Sequence, residues 1–231
     1  MKTNLLLLVG SLLLAVLMGG CAQRSPATPI TKGEAFAPLY EEQPRSILIL
    51  PPMNESTDAE AKEFYTTTTE VPFALMGYYV FPVEMVSDIL KQEGIYDAAA
   101  LTGMPADKFY EYFGADSILF TTIHKWDTSY AVVSSSLKVS ISAKLVSTKT
   151  NRTLWSNTQT IVVNLGGGSA SSLEELLINT VLTAISTATA DYVTYAKEVN
   201  QRLIYTLPAG PYSPHYMQDQ DVVIGHKKEK Q

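Results

Sequence analysis

The sequence of 231 residues contains a single cysteine, Cys21, and this scarcity excludes several kinds of site. One thiol cannot form an intramolecular disulfide, and it cannot supply a CxxC metal or redox motif. Basic residues are also few: 17 Lys and Arg stand against 23 Asp and Glu, which leaves a formal net charge of −6. Nucleic-acid-binding proteins normally carry a basic stripe, so we expect no nucleic-acid partner. The 46% of hydrophobic and 17% of charged residues are nevertheless typical of a folding chain.

Catalytic and metal-binding patterns are lacking as well. The three histidines, His124, His215 and His226, do not have metal-ligand spacing. The sequence contains no Gly-x-Ser-x-Gly elbow, and the glycine-rich loop at 166–172 lacks the Lys of a phosphate-binding P-loop. We therefore predict no catalytic residue, no metal site, and no cofactor other than covalently attached lipid.

The strongest motif lies at the N-terminus. Lys2 precedes an apolar run over 5–18, which is shorter than the roughly 20 residues that a transmembrane helix needs. The run leads into Met18-Gly19-Gly20-Cys21, which resembles a bacterial lipobox. We predict a lipoprotein signal peptide over residues 1–20, cleavage between Gly20 and Cys21, and diacylglycerol and an N-acyl chain on Cys21. An ordinary secretion signal with an incidental cysteine is the alternative.

The residue after the lipobox cysteine is Ala22 rather than Asp. By resemblance to the sorting rules of enteric-type bacteria, this favours the outer membrane. We expect a lipid-anchored protein that faces the periplasm, with surface exposure left open.

Proline density divides the mature chain into three parts. We predict an acylated cysteine and a Pro-rich extended tether over residues 21–45, and a single periplasmic α/β domain over residues 46–206. Residues 207–231 are predicted to be a Pro-rich, poorly ordered polar tail, in which 221–224 is a candidate strand added to a sheet edge.

The hydrophobic pattern predicts the order β-α-β-α-α-β-β-β-α. The apolar run Ser46–Leu50 predicts a buried strand, and strict alternation over 137–145 predicts a strand with one wet face. The remaining predicted elements are helix Ala59–Met76, strand Tyr78–Phe81, helices Val83–Gln92 and Pro105–Phe113, strands Asp116–Trp126 and Leu154–Asn164, and a long helix from Ser171 or Ser172 to Val199. We expect an α/β (α+β) domain with a mixed, mostly antiparallel sheet and helices packed on it.

Two positions within these elements carry specific expectations. The four β-branched residues Thr66–Thr69, followed by Pro72, predict a helix that either relies on tertiary packing or kinks at the proline. His124 has the same strand parity as Phe120 and Trp126, which predicts a partly buried, hydrogen-bonded structural histidine.

Aromatic residues crowd between residues 64 and 113. Tyrosine is amphipathic and enriched at protein contacts, so an exposed group around Tyr78 and Tyr79, or around Tyr110 and Tyr112, is a candidate partner surface. The alternative is that these rings only fill the core between sheet and helices.

Four stretches occur in an order that resembles a family of bacterial lipoproteins of unknown function, which includes a meningococcal surface-antigen candidate. They are Ile47-Leu-Ile-Leu-Pro-Pro-Met-Asn54, Gly77-Tyr-Tyr-Val-Phe-Pro82, Gly114-Ala-Asp-Ser-Ile-Leu-Phe120 and Leu154-Trp-Ser156. More distantly, the chain is similar to the periplasmic domains of CsgG, the curli secretion lipoprotein, and LpoB, the penicillin-binding-protein activator. The resemblance implies an outer-membrane lipoprotein with a CsgG/LpoB-like domain, and it carries no catalytic residues to transfer.

These observations together predict a non-enzymatic binding or scaffold module in a cell-envelope assembly. Its expected partners are outer-membrane lipid and other CsgG-like envelope lipoproteins, and a homo-oligomer is left open. Two alternatives also remain: a structural subunit of a secretion pore, and an envelope hydrolase.

Overall fold

A computed structural model of the chain describes residues 28–96, 98–130, 135–164 and 192–226. Nearly all of these residues belong to one compact unit, Thr31–Ile224. The strands are β1 (Pro29–Thr31), β2 (Ser46–Ile49), β3 (Met53–Asn54), β4 (Tyr79–Val80), β5 (Ser117–Tyr130), β6 (Ser135–Ser147), β7 (Thr153–Asn164) and β8 (Val223–His226). The helices are α1 (Lys32–Ala35), α2 (Ala37–Glu42), α3 (Ala61–Thr66), α4 (Glu70–Leu75), α5 (Val83–Gln92), α6 (Ala98–Thr102), α7 (Ala106–Phe113) and α8 (Tyr192–Ile204).

The main sheet has the order β4-β2-β5-β6-β7, and β3 also pairs with β5. Strands β4, β2 and β5 are parallel, whereas β5, β6 and β7 form an antiparallel meander. The predicted α/β class, with a mixed sheet and helices packed on it, is confirmed. Strands β1 and β8 form a separate two-stranded sheet, so the strand predicted near 221–224 exists but joins β1 rather than the main sheet.

Two apolar clusters cover the sheet. The larger one lies on the side of the meander that carries Trp126, Ile141 and Trp155, where helix α8 packs. The smaller one lies against the parallel strands β2 and β5, and it joins Leu48 and Ile118 to helices α5, α6 and α7. The helices of the second cluster stop near Phe120, so the rest of that side of the meander has no described helix over it.

The predicted helix Ala59–Met76 is two helices, with the break at Thr67–Thr69 rather than at Pro72. The hydroxyls of Thr67, Thr68 and Thr69 donate to backbone carbonyls three or four residues earlier. Such bonds compete with the helical pattern and end the first helix. Pro72 lies in the first turn of α4, where a missing N–H has little cost.

The predicted tether over 21–45 is too long. Helices α1 and α2 occupy most of its second half, and Phe36 and Leu39 are buried in the larger cluster. The prediction relied on the density of prolines. The burial of two large apolar side chains, Phe36 and Leu39, nevertheless packs this short helical segment against the core. Residues 1–27, and with them the signal peptide, Gly20 and Cys21, lie outside the described residues.

The predicted poorly ordered tail over 207–231 is also wrong as far as residue 226. Leu207 and Ala209 are buried, and Gly210 donates from its N–H to Met76 O at 2.8 Å. Turns and backbone hydrogen bonds hold residues 207–222 without helix or strand, and strand β8 follows them. Helix α8 coincides with the last part of the predicted long helix and continues past Val199 to Ile204, whereas the predicted start at Ser171 or Ser172 lies outside the described residues. Within the described ranges, no helix combines the length and apolarity that a membrane crossing needs.

Candidate functional site

The side of the meander opposite Trp126, over most of which the structure describes no helix, carries an organised set of polar side chains, which we call the hydroxyl face. Residues paired across an antiparallel sheet point to the same side, so the register defines this face. Its rows are Phe120–Lys144–Ser156, Thr122–Ser142–Thr158, Lys125–Ser140–Thr160 and Asp127–Lys138–Val162. The rows between them, such as Ile123–Ile141 and Trp126–Val139–Ile161, bury their apolar members in the larger cluster.

A β-bulge at His124 keeps this alternation in register. The pairing skips His124, so that Ile123 pairs with Ile141 and Lys125 with Ser140. The extra residue inverts parity along β5 and places both Ile123 and Trp126 in the core. The predicted burial of His124 and its predicted parity with Trp126 are therefore wrong, because its side chain is 40% exposed on the hydroxyl face, whereas the predicted hydrogen bonding is present.

His124 bridges two elements at this bulge. Its Nδ1 lies 2.9 Å from Glu55 Oε2, and its Nε2 lies 2.7 Å from Ser142 Oγ. Serine, histidine and carboxylate in this order resemble a nucleophile relay, but catalysis also needs oxyanion donors in a water-excluded site. The His124 and Glu55 side chains are 40% and 53% exposed. We assign the chain of bonds to joining the end of β3 to β6.

The lysines on the hydroxyl face lie outside the ion pairs that the described part of the chain forms. Lys144 Nζ lies 5.6 Å from the centroid of the Phe120 ring. Lys125 and Lys138 are exposed on the rows further along the face. Within the described ranges, none of these three lysines has a carboxylate oxygen within 4.0 Å, whereas Lys149 and Lys108 are paired at 2.9 and 2.7 Å. Among the described residues, the face therefore carries three lysines outside any ion pair, with one carboxylate, Asp127, opposite Lys138 in the register.

A groove with a volume of about 410 Å³ lies at one end of the hydroxyl face. Its apolar wall includes Met53 and Met104, and its polar floor includes Thr122, Ser142 and Lys144. Volumes of this size suit small ligands or one end of a longer one. Among the described residues, no group of three or more His, Cys, Asp and Glu side chains could hold a metal ion.

The two tyrosine pairs predicted as alternative partner surfaces differ in exposure. Tyr78 is 4% exposed, and its hydroxyl donates to Pro208 O at 2.9 Å. Burial raises its pKa, and the nearby Asp219 carboxylate raises the pKa further. Tyr78 is thus a core residue, and its prediction as a surface residue is wrong. Tyr79, Tyr110 and Tyr112 are exposed.

Tyr79 belongs to a second exposed region, built around Gly77. Gly77 has a φ of +91°, and an added Cβ there would lie 2.4 Å from Ser213 N. This close approach lets Tyr212 donate from its N–H to Gly77 O at 2.9 Å. Leu75, Tyr79 and Tyr212 extend from these neighbouring segments with exposed fractions of 79%, 53% and 67%. We call these three side chains the Gly77 surface.

Sequence reasoning missed two members of the Gly77 surface. Leu75 lies within the predicted helix Ala59–Met76 without being singled out, and Tyr212 lies within the predicted tail. The local sequence offers little signal for either, because the contact that unites them joins residues 77 and 212.

Asp219 anchors the segment that carries Tyr212. Its carboxylate accepts hydrogen bonds from Lys32 Nζ at 3.0 Å, the Tyr40 hydroxyl at 2.9 Å and the Ala209 N–H at 3.0 Å. Burial alone would raise the pKa of Asp219, but these three hydrogen bonds outweigh it and hold the pKa below its usual range. Lys32 Nζ also donates to Leu207 O at 2.9 Å.

Comparisons with known proteins agree on one group. A family model described as "Putative lipoprotein GNA1162-like" matches residues 35–210. The Neisseria meningitidis serogroup B protein named "Putative lipoprotein NMB1124/NMB1162" is 32% identical over 178 residues, which covers 77% of this chain and 80% of that protein.

Solved structures give a similar result. The crystal structure of lipoprotein GNA1162 from Neisseria meningitidis is similar at a TM-score of 0.53 and 34% identity, over 63% of this chain and 100% of that one. The LpoB C-terminal domain from Salmonella enterica matches at a TM-score of 0.34 and 18% identity, over 56% of this chain and 97% of that domain.

Proposed function

Because the chain belongs to the GNA1162-like family of putative lipoproteins, we propose that it is a lipid-anchored, non-enzymatic binding or scaffold module in a cell-envelope assembly. Its anchor is the acylated Cys21, its location is the outer membrane facing the periplasm, and its partners are other envelope lipoproteins. The resemblance that the sequence predicts to this family is confirmed by the match over residues 35–210.

The observation that carries the proposal is the Gly77 surface. Three large side chains, Leu75, Tyr79 and Tyr212, are more than half exposed and belong to neither apolar cluster. Tyrosine and apolar side chains of this kind are enriched at the centres of protein interfaces. The Tyr79 ring packs edge-on against Phe81 at a centroid distance of 5.2 Å, which holds it in place before a partner binds.

The backbone under the Gly77 surface is also fixed. Gly210 fits so closely that an added Cβ would lie 2.4 Å from Gly77 O. Lys32 and Asp219 hold the same C-terminal segment through a largely buried ion pair at 3.0 Å. A rigid surface loses little conformational entropy when it binds, which favours a specific protein contact.

Site-specific photo-crosslinking in cells tests the proposal. A photoreactive phenylalanine analogue at Tyr79 should give a crosslink to another envelope lipoprotein. The same analogue at Tyr96, which is 78% exposed, serves as the matched control and should give none. Placing it at Tyr112 tests the other tyrosine group that the sequence predicts. No protein partner at Tyr79, or an equal yield at Tyr96, would contradict the proposed surface.

The anchor has a separate test. Replacing Cys21 by serine removes the only thiol, so Cys21→Ser should abolish palmitate labelling and processing by signal peptidase II. Lys2→Gln is a control, since it alters the signal region without touching the lipid-bearing atom. A Cys21→Ser chain that still incorporates palmitate would show that the lipobox prediction is wrong.

A further inference from the structure

The hydroxyl face has a chemistry that the proposed partner surface does not explain. Six hydroxyl side chains point to one side of three adjacent strands: Thr122, Ser140, Ser142, Ser156, Thr158 and Thr160. Ser140 Oγ lies 2.9 Å from Thr160 Oγ1, so neighbouring hydroxyls are already aligned across the strands. Each hydroxyl can both donate and accept, which is the capacity that the hydroxyls of a sugar also have.

Lysines outnumber carboxylates on this face, although the whole chain is acidic. Lys125, Lys138 and Lys144 have no described carboxylate within 4.0 Å. Two carboxylates also lie at the face: Asp127, which is opposite Lys138 in the register and accepts from the Thr57 hydroxyl at 3.1 Å, and Glu55, which bonds to His124. Three lysines against two carboxylates leave the face slightly basic in a chain with a net charge of −6.

These lysines follow the direction of one strand. Lys138 and Lys144 lie on β6, and Lys125 pairs with Ser140 of the same strand. Same-side residues of a strand recur about every 7 Å, so the positive charges extend over about 20 Å along the sheet. The groove of about 410 Å³ continues the face beyond Lys144. An extended anionic chain can therefore contact all three lysines at once.

The composition of the face argues against a protein partner there. Lysine and serine are depleted at protein interfaces, while tyrosine, tryptophan and arginine are enriched. The described residues of the face include only two large apolar side chains, Phe120 and Val162. Phe120 is partly covered by Lys144 on its ring and by Phe109 at a centroid distance of 6.4 Å.

From these observations we propose that the hydroxyl face binds an anionic, carboxylate-bearing polysaccharide. The carboxylates contact Lys125, Lys138 and Lys144, the sugar hydroxyls exchange hydrogen bonds with the serine and threonine rows, and the chain runs along β6 into the groove. The proposal goes beyond the proposed protein contact and does not depend on it, because the two surfaces share no residue.

Binding of the purified full-length chain in detergent to alginate, a polyuronate, tests this proposal. Dextran of matched length is the uncharged control. The face variant is Lys125→Gln/Lys138→Gln/Lys144→Gln, and the matched variant with the same charge change is Lys91→Gln/Lys108→Gln/Lys197→Gln on three helices. Both sets replace exposed side chains, and circular dichroism compares their folds.

We expect alginate to bind at least about tenfold more tightly than dextran at low salt, with the preference falling as salt rises. The face variant should lose about tenfold or more in alginate affinity, and the matched variant about twofold or less. Replacing Thr158 and Thr160 by valine should weaken binding by about twofold to fivefold, since it removes hydroxyls and keeps the charge.

Three results would overturn the proposal. One is equal binding of alginate and dextran, and another is an equal loss in the face and matched variants. The third uses vesicles of phosphatidylglycerol and phosphatidylcholine. If the chain binds these vesicles more tightly than alginate, and the face variant abolishes that binding, the face recognises a membrane surface instead of a polysaccharide.

Discussion

The hydroxyl face and the Gly77 surface are built in opposite ways. The face consists of alternate residues along three regular strands, and each member is positioned by its own strand register. The Gly77 surface depends on one glycine with a φ of +91° and on a C-terminal segment that returns from more than 130 residues away. One surface is local and repetitive, whereas the other requires the tertiary fold.

This difference predicts how each surface responds to damage. Substitutions on the hydroxyl face change exposed side chains above an intact sheet, so they should affect binding more than stability. Substitutions beneath the Gly77 surface disturb buried partners, so they should lower stability and remove the surface together. The variants below test this contrast.

The largest expected effect comes from the buried ion pair. Lys32→Ala leaves the Asp219 carboxylate without its cation, and the side chains of the pair are only 8% and 13% exposed. We expect the free energy of unfolding to fall by about 3–5 kcal/mol in urea titrations. Lys138→Ala on the hydroxyl face is the control and should change it by about 0.5 kcal/mol or less. Equal losses in the two variants would remove the contrast between the surfaces.

Gly77→Ala should have the next largest effect. The new Cβ meets Ser213 N at 2.4 Å and also forces a non-glycine residue to a φ of +91°. We expect a loss of about 2–4 kcal/mol in the free energy of unfolding. Gly94→Ala isolates the conformational part, because Gly94 has a φ of +82° with no heavy atom within 4 Å of the added Cβ, and it should cost about 1 kcal/mol. Equal losses of unfolding free energy in the two variants would contradict a steric contribution from Ser213.

Acid should lower the free energy of unfolding by protonating Asp219, which anchors the segment that carries Tyr212. Because the folded pKa of this carboxyl is lowered, the unfolded chain binds more protons near pH 4. The stabilisation is present above the ordinary carboxyl pKa and is lost as the pH falls through the lowered pKa of the folded protein. Urea titrations between about pH 6 and pH 3 should show a smaller slope of stability against pH for Asp219→Asn. The exposed Asp221→Asn should retain the slope of the parent chain, and an unchanged slope in Asp219→Asn would contradict this account.

The same contrast explains how much of the fold is predictable from the sequence. Strand β6 is predictable because its alternation of Leu137, Val139 and Ile141 with polar residues reports burial directly. The solvent-facing positions of that alternation are Lys138, Ser140, Ser142 and Lys144. The sequence alone does not show which residues of β5 and β7 lie beside them.

Elements held by distant partners are not predictable in this way. Lys32 and Asp219 are 187 residues apart, and Tyr78 bonds to a carbonyl 130 residues away. Local composition around Lys32 and around Pro208 is rich in proline, so it predicts a tether and a tail. The burial of Tyr78 and the exposure of Tyr79 likewise depend on which neighbour reaches the segment, and periodicity does not report this.

The smallest effect is expected at the bulge in the hydroxyl face. Ile123 and Trp126 are almost fully buried, and we expect that burying them is what fixes the bulge. The His124 side chain is then not required for the bulge. His124→Ala would then lose only two partly exposed hydrogen bonds and lower the free energy of unfolding by about 0.5–1 kcal/mol. Urea titration measures this change, with Ser142→Ala as the partner control. A loss of more than about 2 kcal/mol would mean that the bonds from His124 hold the bulge, and that the face is less local than its register indicates.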